Sequence, residues 1–191
     1  MKTKLLATLS IAALASMVSM AQASEFSYNY VEGTYQDIDA DGINGDSYKL
    51  SGSYGINPSI NVIAEYTDGQ LDNPLGGSDL EFDQTVVGLG YHTEVSNKTD
   101  FTANIKLVDQ NSDVAGDDTG YGVGVGIRHM LTNKIEVGSG IDYVDVSDIG
   151  NTTFNINSRY HLNDKLSFGL SYSTSEENSD IISGGVRFDF D

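Results

Sequence analysis

The stretch NTTFNINSRYHLNDKLSFGLSYS, from Asn151 to Ser173, alternates apolar and polar residues on both sides of a turn at Asn163 and Asp164. Before the turn, one phase consists of Thr152, Phe154, Ile156, Ser158, Tyr160 and Leu162. After the turn, the matching phase consists of Leu166, Phe168, Leu170 and Tyr172, and the residues between them are small or polar. Successive side chains of a strand point to opposite faces. The stretch therefore predicts a β-hairpin with one apolar and one polar face.

The same two-residue period recurs along most of the chain, between short segments rich in Gly, Asn, Asp and Pro. It predicts ten strands of about ten residues, with eight strands as the alternative. The first strand is the least regular, because Tyr28 and Tyr30 share one phase while Val31 and Tyr35 share the other. We expect a β-bulge or an unpaired start there.

The first residues have the pattern of an export signal. Lys2 and Lys4 precede a mostly apolar run, and Ala21-Gln22-Ala23 is a small-x-small cleavage site. We therefore expect a signal peptide over residues 1–23, removed on export, and a barrel domain over residues 24–191.

Charge and cysteine content narrow the class of protein. The chain has 28 Asp and Glu residues against 10 Lys and Arg, and a formal net charge of −18. This balance argues against a nucleic-acid partner. There are no cysteines, so disulfides do not stabilise the exported fold. A soluble β-protein and a membrane β-barrel remain as alternatives.

Three patterns favour the membrane barrel. Tyrosines lie at both ends of the apolar rows, as aromatic residues do at bilayer interfaces. The connections near Asp39, Gln70, Asp113, Ser147 and Glu177 are expected to be longer and more acidic than those at the other end, as on the external side of such barrels. Charged residues on the predicted polar face form an expected network inside the barrel: Lys49, Glu65, Lys106, Arg128, Glu136, Asp142, Arg159, Arg187 and Asp189. The predicted fold is an all-β, closed, antiparallel up-and-down transmembrane β-barrel.

Two segments resemble a known family. FSYNYVEGTY at residues 26–35 and LEFDQTVVGLGYHTEVSNKTDF at residues 80–101 resemble the small outer-membrane proteins of the Ax type, named as activators of XA-receptor immunity. The resemblance implies an outer-membrane barrel of the wider OmpX-like and OmpA-like group, without known catalysis. Such barrels usually end on an aromatic residue, whereas here Phe190 is followed by Asp191.

Two other features suggest ligands or solutes. Asp37, Asp39 and Asp41, followed by Gly42, match the first half of a calcium loop, but Tyr48 stands where the loop needs a bidentate acid. They predict weak binding of a divalent cation at most, and no other cofactor. The glycines at 120, 122, 124, 126, 138 and 140 leave space on one wall, which long side chains of the opposite wall or a narrow water path would fill.

These observations predict a protein of the cell outer membrane with a structural, surface-interaction or adhesion role through acidic external loops. The alternative is a narrow porin-like channel for small solutes or ions. We expect no enzyme activity, because His92, His129 and His161 all lie at the short-turn end. The expected partners are outer-membrane lipid and lipopolysaccharide, the barrel-insertion machinery and periplasmic chaperones. The protein is expected to be a monomer.

Overall fold

The computed structural model describes residues 26–113 and 116–190. The predicted signal peptide, residues 1–23, lies outside the described residues. None of the described residues forms a helix long and apolar enough to cross a membrane.

Within the described residues the chain forms ten antiparallel strands in one closed barrel. Their bounds are β1 Tyr30–Ala40, β2 Ile43–Asn57, β3 Ile60–Leu71, β4 Leu80–Ser96, β5 Thr99–Ser112, β6 Gly116–Thr132, β7 Ile135–Val146, β8 Ile149–His161, β9 Leu166–Ser175 and β10 Ser179–Asp189. Each strand pairs with its neighbours in sequence, and β1 also pairs with β10. Closure leaves no strand edge unpaired, as a bilayer requires. The predicted strand number and topology are confirmed.

The two faces of the wall are distributed as the alternation predicts. Val125, Phe154 and Leu170 are on the outer face, with exposed fractions of 50%, 45% and 70%. Ser47 and Ser167, on the opposite phase, are completely buried. Apolar side chains therefore cover the outside of the barrel, and small polar ones enclose its axis.

The barrel has two ends, a terminal end and an acidic end. The terminal end holds residues 26–29 and the links 58–59, 97–98, 133–134 and 162–165. The acidic end holds the described residues of the five ranges 37–46, 68–83, 109–118, 145–148 and 176–180. Eighteen of the 28 acidic residues lie within these five ranges, which contain no Lys or Arg.

The expectation that the links at the acidic end are generally longer than those at the terminal end is confirmed only in part. Among the described residues, 72–79 form an extended link there, whereas β1 and β2 are joined by Asp41 and Gly42, and β7 and β8 by Ser147 and Asp148. All four of these turn residues have positive φ, between 54° and 83°. Two consecutive residues of positive φ form the tight turn that matches the twist of a hairpin.

Several strands are accordingly longer than the predicted ten or so residues, whereas β1, β9 and β10 have 10 or 11. β4 and β6 have 17 residues each, and β2 has 15. A tilted strand of 9–11 residues is enough to cross a hydrocarbon core of about 30 Å. Pairing continues beyond the apolar rows through polar pairs such as Gln110 with Asp118 and Asn111 with Asp117. The apolar alternation therefore marks the membrane-crossing part of each strand and not its full length.

At the terminal end, side-chain oxygens fix three of the links. Asn57 Oδ1 accepts hydrogen bonds from the backbone N–H groups of residues 59 and 60. Thr132 Oγ1 does the same for residues 134 and 135, and Asn163 Oδ1 for residues 165 and 166. Asn and Thr are suited to such turns because their short side chains reach the backbone two or three residues ahead.

Candidate functional site in the lumen

Glu32 is the centre of an ion-pair cluster inside the barrel. Its Oε1 accepts a hydrogen bond from Arg159 Nη2 at 2.8 Å, and its Oε2 accepts from Arg187 Nε at 2.8 Å and Nη2 at 2.6 Å. The Arg187 guanidinium also lies 3.7 Å from the centroid of the Tyr30 ring. One carboxylate thus compensates two arginines that are each about nine-tenths buried.

A second cluster joins β6, β7 and β8. Arg128 Nε and Nη2 donate to the two oxygens of Glu136 at 2.7 and 3.1 Å. His161 Nε2 lies 3.1 Å from Glu136 Oε2. The forked arrangement is the strong, bidentate form of an arginine–carboxylate pair. It holds the guanidinium in one plane and leaves both of its faces available to aromatic rings.

Two further pairs lie nearer the middle of the barrel. Lys106 Nζ donates to Asp142 Oδ1 at 3.0 Å, and Asn155 donates to the other oxygen of Asp142 at 3.2 Å. Lys49 Nζ and Glu65 Oε2 are 4.0 Å apart. Every Lys and Arg of the predicted lumenal network is therefore within ion-pair distance of a carboxylate, and two of them, Arg159 and Arg187, share the same one.

The structure brings eight of the nine residues of the predicted network into these pairs. Asp189 is buried at the end of β10, and its backbone N–H donates to Lys165 O at 2.8 Å. Glu32 was not predicted, although it links Arg159 to Arg187. The irregular phase of the first strand concealed it. Once β1 is known to begin at Tyr30, Tyr30, Glu32, Thr34 and Gln36 read as a regular inward row.

The lumen contains a cavity of about 500 Å³. Besides the charged residues, amides and hydroxyls line it, among them Gln36, Ser51, Asn104, Asn157 and Ser171. Towards the acidic end, three aliphatic side chains on the inward phase are buried, Ile38, Val86 and Val108, with exposed fractions of 8%, 5% and 3%. The lumen is thus polar in the middle, and buried aliphatic side chains lie between this polar part and the acidic end.

Side chains of adjacent strands fill the space next to several of the inward glycines. An added Cβ at Gly124 would meet the Asp142 carboxylate, and one at Gly138 would lie 2.8 Å from Asn157 Oδ1. Arg159 lies over Gly169, with Nη2 3.1 Å from the position of such a Cβ. At these three positions, glycine therefore leaves room for a polar side chain of the adjacent strand.

The three predicted calcium ligands lie at the acidic end. Asp37 and Asp39 belong to β1, Asp41 is in the following turn, and Asp39 Oδ1 accepts a hydrogen bond from Gly42 N at 2.9 Å. Within residues 26–113 and 116–190, no three His, Asp or Glu side chains gather in a group that could hold a metal ion.

The histidines contribute to packing at the terminal end. His92 is buried and stacks on Tyr28, His129 Nδ1 lies 2.9 Å from Thr99 Oγ1, and His161 contacts Glu136 as described above. The contacts of Tyr28 with His92 and Asp100 were not predicted. They join residues far apart in sequence, so no local pattern could have indicated them.

The sequence matches the family described as outer membrane protein beta-barrel domain over residues 8–161. No curated protein matches it significantly. Among solved structures, the KdgM porin in complex with disordered oligogalacturonate is similar, with 11% identity over 85% of this chain and 99% of that chain and a TM-score of 0.52. The NanC porin has 11% identity over 85% of this chain and 100% of that chain, and a TM-score of 0.52.

At these identities the two porins show a shared fold and nothing about solutes. The family match covers most of the chain and agrees with the closed barrel, its apolar outer face and its polar lumen. The chain therefore belongs to the outer membrane protein beta-barrel domain family and is a protein of the outer membrane.

Proposed function

We propose that this barrel has a structural and adhesive role at the cell surface and that its acidic end is the interacting surface. The observation that carries the proposal is the segregation of charge. Eighteen acidic residues and no Lys or Arg lie in the five ranges of the acidic end. Fields of one sign attract oppositely charged partners and speed their association. A cationic surface or protein segment is therefore the kind of partner that this end suits.

The charge of the terminal end differs from that of the acidic end and supports an orientation of the barrel in the membrane. Lys98, Lys134 and Lys165 lie in or beside its links, and the histidines are on the same side. We propose that the terminal end faces the periplasm and the acidic end faces outwards. The Ax-type resemblance belongs to the same proposal, as do a monomeric state, contact with lipopolysaccharide, and delivery by periplasmic chaperones and the barrel-insertion machinery.

Orientation can be tested by labelling intact cells with a membrane-impermeant maleimide. Leu75 lies in the link 72–79 and is 94% exposed, and the natural sequence contains no cysteine. We expect Leu75→Cys to be labelled on intact cells and Asn97→Cys, at the terminal end, to be labelled only after lysis. The reverse pattern would contradict the proposed orientation.

The role of the acidic end can be tested with the barrel in nanodiscs of zwitterionic lipid. We expect it to bind a polylysine-coated surface and to lose binding as salt is raised, because salt screens exposed charges. A variant with Asp72→Asn, Asp79→Asn, Glu176→Gln and Glu177→Gln should bind at least tenfold more weakly. The matched control, Glu94→Gln with Asp164→Asn, changes carboxylates at the terminal end. Equal binding by the two variants would refute the proposal.

A narrow channel is the second candidate, and the polar cavity of about 500 Å³ favours it. Amides, hydroxyls and compensated charges line the cavity, so it suits small solutes without net charge. Single-channel recording in planar bilayers tests this candidate independently of the acidic end.

A further inference from the structure

Residues 26–29 lie across the mouth of the barrel at the terminal end. They lead into β1, yet Tyr28 contacts residues of β4, β5 and β6. In the closed strand order, β6 is five positions from β1 in either direction. The segment therefore spans the mouth from one wall to the opposite one. Phe26, with an exposed fraction of 8%, is among the few buried apolar residues described.

The Tyr28 side chain has a specific seat on the opposite wall. Its ring stacks on His92 with 3.5 Å between centroids and 10° between planes. Its hydroxyl donates a hydrogen bond to Asp100 Oδ2 at 2.9 Å. Burial raises the pKa of the Tyr28 phenol above its ordinary value, so the hydroxyl keeps the proton that it donates.

Arg128 also contacts residues 26–29, through the two faces and the free edge of its guanidinium group that Glu136 does not contact. Its guanidinium carbon lies 4.7 Å from the Phe26 ring centroid and 4.9 Å from that of Tyr28, within the range of a cation–π contact. Its Nη1 donates to Ser27 O at 3.2 Å. A planar guanidinium fixed by a bidentate carboxylate can make all these contacts together, whereas a lysine cannot.

The segment is also tied to the wall from which it comes. Ser53 Oγ donates to Tyr28 O at 2.6 Å, and Gly55 N donates to Asn29 Oδ1 at 2.6 Å. Phe190 N donates to Asn29 O at 3.0 Å, which links the segment to the end of the last strand. Polar groups of both walls thus position a four-residue segment.

We propose that Ser53, His92, Asp100 and Arg128 form a binding site for an aromatic peptide segment, and that the chain's own residues 26–29 fill this site as a plug that closes the lumen. The proposal rests on the second candidate function, a conducting lumen. The contacts that hold the plug are hydrogen bonds and ring contacts, so it can leave without a strand being broken. Occupancy of the site then sets access from the terminal end to the polar cavity.

The test is single-channel recording of the full chain in planar bilayers. The variant Phe26→Ala with Tyr28→Ala removes both rings of the plug. The matched control, Phe168→Ala with Tyr160→Ala, removes the same two ring types from the outer face, where their exposed fractions are 47% and 46%. We expect the plug variant to carry at least tenfold more current than the native barrel, and the control to behave as the native barrel does.

A heat-dependent shift on a gel shows whether each variant still forms a barrel. If the plug variant does not, His92→Ala replaces it, because this change removes the stacking partner and leaves residues 26–29 intact. Equal, measurable current through native and plug-deficient barrels would refute the plug and retain the channel. If neither the native barrel nor the plug variant carries current although both form barrels, the plug and the channel are both refuted.

Labelling supplies a second readout that does not depend on current. Ser51→Cys places a thiol in the lumenal cavity. A charged, water-soluble maleimide should modify it at least tenfold faster when the plug rings are absent than when they are present. Equal rates would overturn the proposed closure.

Discussion

The two ends of the barrel differ in the arrangement of their charged residues. In the lumen next to the terminal end, Glu32 joins Arg159 to Arg187 and Glu136 joins Arg128 to His161, with N–O distances between 2.6 and 3.1 Å. At the acidic end, the five ranges given above contain eighteen carboxylates and no Lys or Arg. Exposed examples are Asp72, Asp79, Glu176 and Glu177.

The difference follows from access to water. Burial of a charge is costly unless a partner compensates it, so charges inside the barrel occur in pairs. Exposed carboxylates remain hydrated and repel one another only weakly through water and salt. Charge inside the lumen therefore specifies structure, while charge at the acidic end is available for interaction. Three variants test this comparison.

Glu32→Ala should have the largest effect, because it leaves Arg159 and Arg187 without their shared carboxylate. Removal of one partner from a buried ion pair costs about 3–5 kcal/mol. We expect a loss of this size in the free energy of unfolding, measured by urea titration in lipid vesicles. Glu81→Ala is the control, because Glu81 is an exposed acid of the acidic end. Similar losses for the two variants would mean that the ends do not differ as described.

Gly185→Val should have an intermediate effect on the same cluster. A Cβ at this position would lie 2.8 Å from Thr34 Oγ1, 3.0 Å from Gly33 O and 3.1 Å from Glu32 Oε1. Forcing extra atoms into a packed interior costs about 1–3 kcal/mol. Gly33→Val, on the neighbouring strand, is the matched control, since its Cβ would meet no atom within 4 Å. The same unfolding assay should separate the two, and an equal cost would argue against a tightly packed inner wall.

Neutralisation of Asp72, Asp79, Glu176 and Glu177 should have the smallest effect on stability. Surface substitutions usually change it by no more than about 0.5 kcal/mol. Since like charges are removed, we expect a slight gain, which should diminish at high salt. A loss of more than about 1 kcal/mol would show that these carboxylates have structural partners.

Much of the fold could be predicted from alternation alone. The rows Leu166, Phe168, Leu170 and Tyr172 and their small polar neighbours indicate both the strand and the direction of each face. Strand ends could not be predicted in this way, because pairing continues through polar residues. The turn at Ser147 and Asp148 is a clear case, since neither residue is the glycine that usually marks positive φ.

The lumenal site was partly predictable. The inward phase identified Arg128, Glu136 and Asp142, because a charged side chain on a regular polar row points into the lumen. The partner of each charged side chain depends on which strands face each other across the closed barrel. The two-residue period of the sequence carries no information about this. Tyr28 was missed for this reason, since its partners His92 and Asp100 lie more than 60 residues away in sequence. Glu32 was missed because the phase of the first strand is irregular.

The central claim is that apolar side chains face lipid and polar ones enclose the lumen, and spin labelling along Leu166–Ser173 tests it most directly. Single cysteines, introduced one at a time into the cysteine-free chain, would carry a nitroxide in lipid vesicles. We predict that labels at 166, 168, 170 and 172 relax with oxygen, which partitions into lipid, and that labels at 167, 169, 171 and 173 respond less to it. An inverted alternation, or none, would contradict the account.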